Sequence, residues 1–419
     1  MLVEFTIQNF SSFNEPQTLS MLASSSTKEN FNTENVINVD RFSINDLLKS
    51  AVIFGANAGG KSNFIKSLYT FKNIILNSQV TAEENHLDTV VPFLIKDEPF
   101  DHPSEFEVVF LYEGNLYRYG ISIIKGVIDQ EWLFWTKTAR ETLLFERVGQ
   151  EIKINKRSFS EASDFIEKKK GGKGHVLKKT RNNVPFISVL FQFDGEKSTK
   201  VVKWFQNIAI ISGLQEEGFR DFTLKLFDED TVFKTWALDI LSSLQIQGIS
   251  ITDVDIPPTS VHIRKKTVNV IKKAEDGQEY TLPLSYESEG TKKLIYLLGP
   301  IFNVISNGKL LLVDEFDTKF HSLLSKFILM LYHQKSNNNS QLVVTCHDTN
   351  LLTKELLRRD QIWFVEKNVK HESELYSLLE YKEHYTRKHD SYSKDYLAGK
   401  YGAVPLFNSI DQLKEALDG

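Results

Sequence analysis

The residues with the clearest chemical purpose lie between positions 54 and 63. Gly55-Ala56-Asn57-Ala58-Gly59-Gly60-Lys61-Ser62-Asn63 fits the pattern G-x-x-x-x-G-K-[ST] at each required position. Glycines at 55, 59 and 60 let the backbone curl until its N–H groups face an anion. Lys61 is placed to reach the β- and γ-phosphates of a nucleotide, and the Ser62 hydroxyl to ligate Mg²⁺. The stretch 55–63 is therefore expected to bind ATP. The flanking sequence agrees. Ala51-Val52-Ile53-Phe54 reads as a short buried strand, and Phe64, Ile65, Leu68, Tyr69, Ile74 and Ile75 follow at helical spacing. A strand, a glycine loop and a helix whose N-terminus adds partial positive charge make an anion site.

Two later strands end in polar side chains that such a site needs. Leu310-Leu311-Leu312-Val313 runs into Asp314-Glu315. Asp314 suits a Mg²⁺ ligand, and Glu315 suits the group that orients and polarises an attacking water. Gln341-Leu342-Val343-Val344-Thr345-Cys346 runs into His347, at the position where a histidine can meet the γ-phosphate. Lys61, Glu315 and His347 are thus the expected catalytic set, and Ser62 with Asp314 the expected metal ligands. Between these segments, Ser288-Glu289-Gly290 opens an apolar helical run (Leu294, Ile295, Leu297, Leu298, Ile301). A hydroxyl and open N–H groups at a helix start form a second anion-binding element.

The rest of the chain must position these groups. Composition is that of a globular protein: of 419 residues, 41% are apolar and 25% charged, and 30 phenylalanines imply a large core. A net charge of −5 creates no global attraction to nucleic acid or membranes. Cys346 is the single cysteine, which excludes an internal disulfide and a cysteine metal cluster and fits a reducing cytoplasm. Met1–Phe10 has neither the basic nor the apolar region of a signal peptide, and no apolar run approaches the roughly 18 residues of a membrane span. Residues 2–10 alternate as a strand. Phe106–Tyr112, Leu116–Ile124, Val127–Thr136, Thr142–Val148 and Glu151–Ile154 alternate as an antiparallel sheet, with Glu113-Gly114-Asn115 as a hairpin turn. Ser160 to about Leu244 reads as mostly helical, and Asp276-Gly277 as a further hairpin turn. Lys168-Lys169-Lys170-Gly171-Gly172-Lys173-Gly174-His175, followed by Lys178, Lys179 and Arg181, reads either as a mobile basic loop for a nucleic-acid phosphate backbone or as a solvated surface loop.

The ordered set of Lys61-Ser62-Asn63, Ser288-x-Gly290, Asp314-Glu315 and His347 resembles the ABC-type ATPase heads of the SMC/RecF branch. Asn57, Asn63 and the opening Asn9-Phe10-Ser11-Ser12-Phe13 add to that likeness. Pro103-Ser104-Glu105-Phe106-Glu107, Tyr117-Arg118-Tyr119-Gly120, Asp314-Glu315-Phe316-Asp317 and Tyr396-Leu397-Ala398-Gly399-Lys400-Tyr401-Gly402-Ala403-Val404-Pro405 are similar to the RloA/AbiL-type ATPases of bacterial anti-phage loci, related to the OLD family. The resemblance implies an α/β P-loop NTPase of ABC-head type. An N-terminal lobe with the P-loop and an antiparallel β-subdomain would span 1–158, a mainly helical insertion 159–250, and a C-terminal lobe 251–419. It implies that Ser288 and Gly290 complete the ATP site of a second copy, giving a homodimer or higher homo-oligomer. Glu287, Glu289 and Thr291 depart from the family's usual Leu-Ser-Gly-Gly-Gln. Asp317 falls at the D-loop position as a cross-dimer contact, and Gln130 and Gln192 both fit the Q-loop. It also implies a separately encoded effector, often a nuclease. Roughly 70 residues follow His347, short for a further catalytic domain. The Asp228/Asp230 and Asp253/Asp255 pairs, and His384 with His389, are weak metal candidates. A RecF-like DNA-repair ATPase and a self-contained nuclease are the alternatives.

Overall fold

The computed structural model describes residues 1–25, 34–78, 86–212, 217–255, 264–274, 276–318, 322–337, 339–381 and 391–404. Its centre is a six-stranded sheet in the order Ile208–Ser212, Leu310–Asp314, Gln341–Cys346, Ser50–Phe54, Ile362–Lys367, Ser373–Ser377. The first five strands run parallel and the last is antiparallel. Continuous apolar runs explain this. Ser50–Phe54 and Gln341–Cys346 are buried at every position, as a parallel sheet covered on both faces requires. Register then places the functional groups. Cys346 lies opposite Phe54, Val344 opposite Val313, and Phe364 opposite Phe54. Gly55, Asp314 and His347 therefore leave neighbouring strands at one edge, the carboxyl edge where open α/β sheets bind ligands.

One face of this sheet packs against the helix Lys61–Asn77, the helices Phe186–Gln192 and Glu196–Gln206, and a nine-stranded antiparallel sheet. That sheet runs from Gln17–Ser20 and Leu2–Gln8 through the meander Ser104–Ile154 to a small hairpin of Ile166–Lys168 and His175–Leu177. The expected strands appear within one or two residues of their predicted ends. Glu113 and Gly114 take φ of 46° and 73°, the double left-handed turn that suits a two-residue hairpin. The opposite face carries the helices Glu217–Glu229, Thr231–Ser242, Glu289–Asn307 and Ser322–His333 around a second core.

The segment 159–250 is less helical and less separate than its pattern suggests. Val184–Ile208 joins the first core and Leu224–Ile249 the second. Between them, Ile208–Ser212 is an edge strand of the central sheet, beside Leu310–Asp314. The chain at 159–250 thus crosses from one face of the sheet to the other. No helix among the described residues is long and apolar enough to cross a membrane.

Candidate functional site

Contacts from three distant segments hold the glycine loop in shape. A Cβ on Gly55 would stand 2.2 Å from the Val365 carbonyl oxygen, so only glycine lets these two backbones meet. Gly60 caps the helix start at φ 121°, and a Cβ there would stand 2.3 Å from Ser373 Oγ. The Ser373 hydroxyl donates to Gly59 O (2.6 Å) and is hydrogen-bonded to the Ser12 hydroxyl, with 2.8 Å between the two oxygens. Asn63 Nδ2 donates to the same Ser12 hydroxyl at 2.9 Å. The Asn63 side chain, grouped with the nucleotide contacts on sequence, is thus engaged in fastening the helix to the loop after the first strand. Asn57, Ala58 and Ser62 are exposed at the crest and mouth of the loop, with Ala58 left-handed at φ 62°.

Lys61 is 6% exposed, and its Nζ donates to the carbonyls of Gly55 (2.7 Å) and Ala56 (2.9 Å). Burial pulls its pKa down to about 8, against the upward pull of Asp314, Asp317 and Glu315. An ammonium folded into its own glycine loop, among three carboxylates, lies where nucleotide phosphates would join it.

Across the sheet edge, Thr345 organises the acidic pair. Its hydroxyl donates to Asp314 Oδ1 at 2.5 Å and accepts from the Glu315 N–H at 2.8 Å, and its carbonyl accepts from Phe316 N at 3.0 Å. Glu315 sits at φ 52°, a left-handed conformation that a glutamate holds only when its surroundings fix it. Asp317 Oδ2 accepts from the His347 N–H at 3.0 Å, joining the two strand ends. The His347 side chain is exposed. Its pKa is lowered by partial burial and by the charge of Lys61, opposed by Asp317, Glu315 and Asp314. Lys61, Asp314, Glu315, Asp317 and His347 are therefore one electrostatic cluster beside the glycine loop. For Mg²⁺ and ATP the donor set fits: an exposed Ser62 hydroxyl, the oriented Asp314 carboxylate and the ammonium of Lys61.

Ser288 and Gly290 lie elsewhere. Ser288 caps the helix Glu289–Asn307, its Oγ accepting from Thr291 N at 3.1 Å and pairing with Thr291 Oγ1 at 2.9 Å. Both residues line a cleft of about 630 Å³ with Ile240, Leu244, Leu294 and Leu323, and no glycine-loop residue, Asp314, Glu315 or His347 is in its wall. Lys293, buried one turn further on, donates to Thr318 O at 2.6 Å and so ties this helix to the loop after Glu315. Neither glutamine joins the cluster. Gln130 is exposed with its amide at Asp129, and Gln192 is exposed at the end of its helix. Asp230 caps the helix Thr231–Ser242 by accepting from Phe233 N at 2.9 Å. The side chains of Asp253 and Asp255, and residues His384 and His389, lie outside the described residues. Among those described, no group of three His, Cys, Asp or Glu residues is arranged to hold a metal.

Sequence reasoning missed Thr345, Ser12 and Ser373. Thr345 left one signal, a lone hydroxyl in an apolar strand two residues before His347. Ser12 and Ser373 left none, since their meeting depends on a pairing 361 positions apart.

The chain matches the family model described as AAA domain, putative AbiEii toxin, Type IV TA system, over residues 50–353. No curated protein matches it. Among solved structures it is similar to the SMC head domain from Thermotoga maritima, at 14% identity and a TM-score of 0.41, over 90% of this chain and 98% of that one. It is likewise similar to an SMC head bound to the C-winged helix domain of ScpA, at 13% identity and a TM-score of 0.44, over 90% and 97%.

Proposed function

We propose, from the premise that the chain belongs to the AAA family named in that match, that it hydrolyses Mg²⁺–ATP in sites shared between two copies. One observation carries this reading. The glycine loop, Asp314, Glu315, Asp317 and His347 gather at one sheet edge, while the Ser288–Gly290 helix start opens on a different cleft. A second helix start with an exposed hydroxyl, whose own Glu289 carboxylate is paired with Lys292 at 2.9 Å, suits the nucleotide of another copy.

In this reading the N–H groups of Gly55 to Ser62 hold the phosphates, and Lys61 exchanges its two carbonyl partners for phosphate oxygens. Ser62 and Asp314 would hold Mg²⁺, which would supply charge neutralisation at the phosphates. Glu315, fixed by Thr345, takes the proton of the attacking water. His347, held neutral, offers a hydrogen bond at the terminal phosphate, and Asp317 fixes its backbone. Ser288 Oγ and the N–H groups at Glu289 and Gly290 complete the partner's site.

ATP-driven pairing of two copies then controls a separately encoded effector, a nuclease, in a bacterial anti-phage system. The family's own description names a toxin and a type IV toxin–antitoxin system, which supports a two-component setting. The test is Glu315→Gln. It should bind ATP, lose at least about 100-fold in turnover and accumulate ATP-dependent dimers in light scattering. Unchanged turnover in both Lys61→Ala and Glu315→Gln would overturn the site assignment.

A further inference from the structure

The outermost edge of the nine-stranded sheet is strongly basic. Positions 153–181 hold ten Lys and Arg against three Asp and Glu, in a chain whose net charge is −5. All ten basic side chains are exposed. Register gathers most of them. Ile152 lies opposite His175 and Glu151 opposite Val176. The tip of the Ile166–Leu177 hairpin is thereby directed alongside Lys153, Lys156 and Arg157. Lys168, Lys169, Lys170 and Lys173 stand on that tip, and Lys178, Lys179 and Arg181 follow at its other end.

Acidic counter-charges are few here. The Glu161 carboxylate is turned inward, where it accepts from Lys197 N at 2.9 Å and Ser198 N at 3.0 Å at the start of the helix Glu196–Gln206. Lys169 pairs with Glu151, and Lys153 with Glu146 at 3.8 Å. Of the aromatic rings nearby, Phe159 and Phe165 are buried, and the exposed Phe193 lies away from the tip, edge-on against Phe165. At the tip, Gly171 and Gly174 take φ of 73° and 110° with open space around them, a backbone that a flat polyanion can approach.

Lysines on an edge strand can also serve only to prevent strand pairing. That role accounts for Lys168. It does not account for Lys156, Arg157, Lys170 and Lys173, which lie outside the strands. We propose that this edge binds a double-stranded nucleic acid through its phosphates, without reading sequence. Charge without exposed aromatics at the tip favours a duplex backbone over the stacked bases of a single strand. The inference does not depend on the shared ATP site.

The full chain tests it by fluorescence anisotropy with a labelled, random-sequence DNA duplex of about 30 base pairs between 50 and 200 mM salt. One variant carries Lys168→Gln, Lys169→Gln, Lys170→Gln and Lys173→Gln. A control carries Lys225→Gln, Lys234→Gln, Lys335→Gln and Lys370→Gln, all exposed elsewhere. The hairpin variant should bind at least about tenfold more weakly, with a log–log salt slope smaller by about 3 to 4. The control should stay within about twofold of the natural chain, and ATP turnover without DNA should be unchanged in both. The proposal fails if the natural chain shows no salt-dependent binding, if both variants weaken equally, or if a single strand of the same length binds more tightly than the duplex.

Discussion

The two halves of the proposed nucleotide site are built to different standards. The glycine loop is fixed by Val365, Ser373 and Ser12 from three distant segments, and its acidic partners by Thr345. Ser288 and Gly290 are exposed or half-exposed, and among the described residues the Ser288 hydroxyl bonds only to Thr291. The first half is preorganised within one chain. The second is a helix cap whose further chemistry needs something placed on it from outside. Damage to the glycine loop should therefore reach binding, stability and turnover together, whereas damage to the second half should lower turnover and leave nucleotide binding intact.

The largest effect is expected at Gly60. Gly60→Ala adds a Cβ 2.3 Å from Ser373 Oγ at a φ of 121°. It should abolish ATP binding in titration with a fluorescent nucleotide and cost about 1–3 kcal/mol in denaturant unfolding. Normal nucleotide affinity would show that the loop is not held as described. Thr345→Val comes next. It removes the hydroxyl that orients Asp314 and the Glu315 N–H, so turnover should fall by at least about tenfold while ATP affinity changes little. Equal losses in both would place Thr345 in binding rather than in orienting the acids.

Ser288→Ala sharpens the contrast. It should cost about 1 kcal/mol as a lost cap and leave nucleotide binding by dilute protein unchanged, yet lower turnover. Weakened binding at dilution would mean that Ser288 serves its own chain. The smallest effect is a pH dependence. Lys61 is held at about 8 in the free protein, so its ammonium is lost as pH rises through that value. ATP affinity should fall from pH 7 to pH 9, and a flat profile would show that the lysine charge is not what meets the phosphates.

The sequence makes the first half easy to read and the second hard, for the same physical reason. Residues 50–77 form a strand, a loop and a helix in unbroken order, each signalled by its own periodicity. Asp314 and His347 end runs too apolar to lie anywhere but the sheet centre. The strand Ile208–Ser212 was hidden because five residues without alternation, between helices, carry no period to recognise. Its place beside Leu310–Asp314 is a tertiary fact. Ser12 and Ser373 are ordinary loop and strand-end serines until the sheet brings them together. Ser288–Gly290 is legible as a cap, but the partner nucleotide proposed for it would leave no mark on the neighbouring residues.

Mixing two inactive chains tests the shared site most directly. Lys61→Ala breaks one half and Ser288→Arg the other, so each should be inactive as a pair with itself. An equal mixture forms mixed pairs in which one site carries both defects and the other carries neither. The shared site predicts recovery to about a quarter of natural turnover. A mixture no more active than its components would contradict it, and would place Lys61 and Ser288 in sites that each copy completes alone.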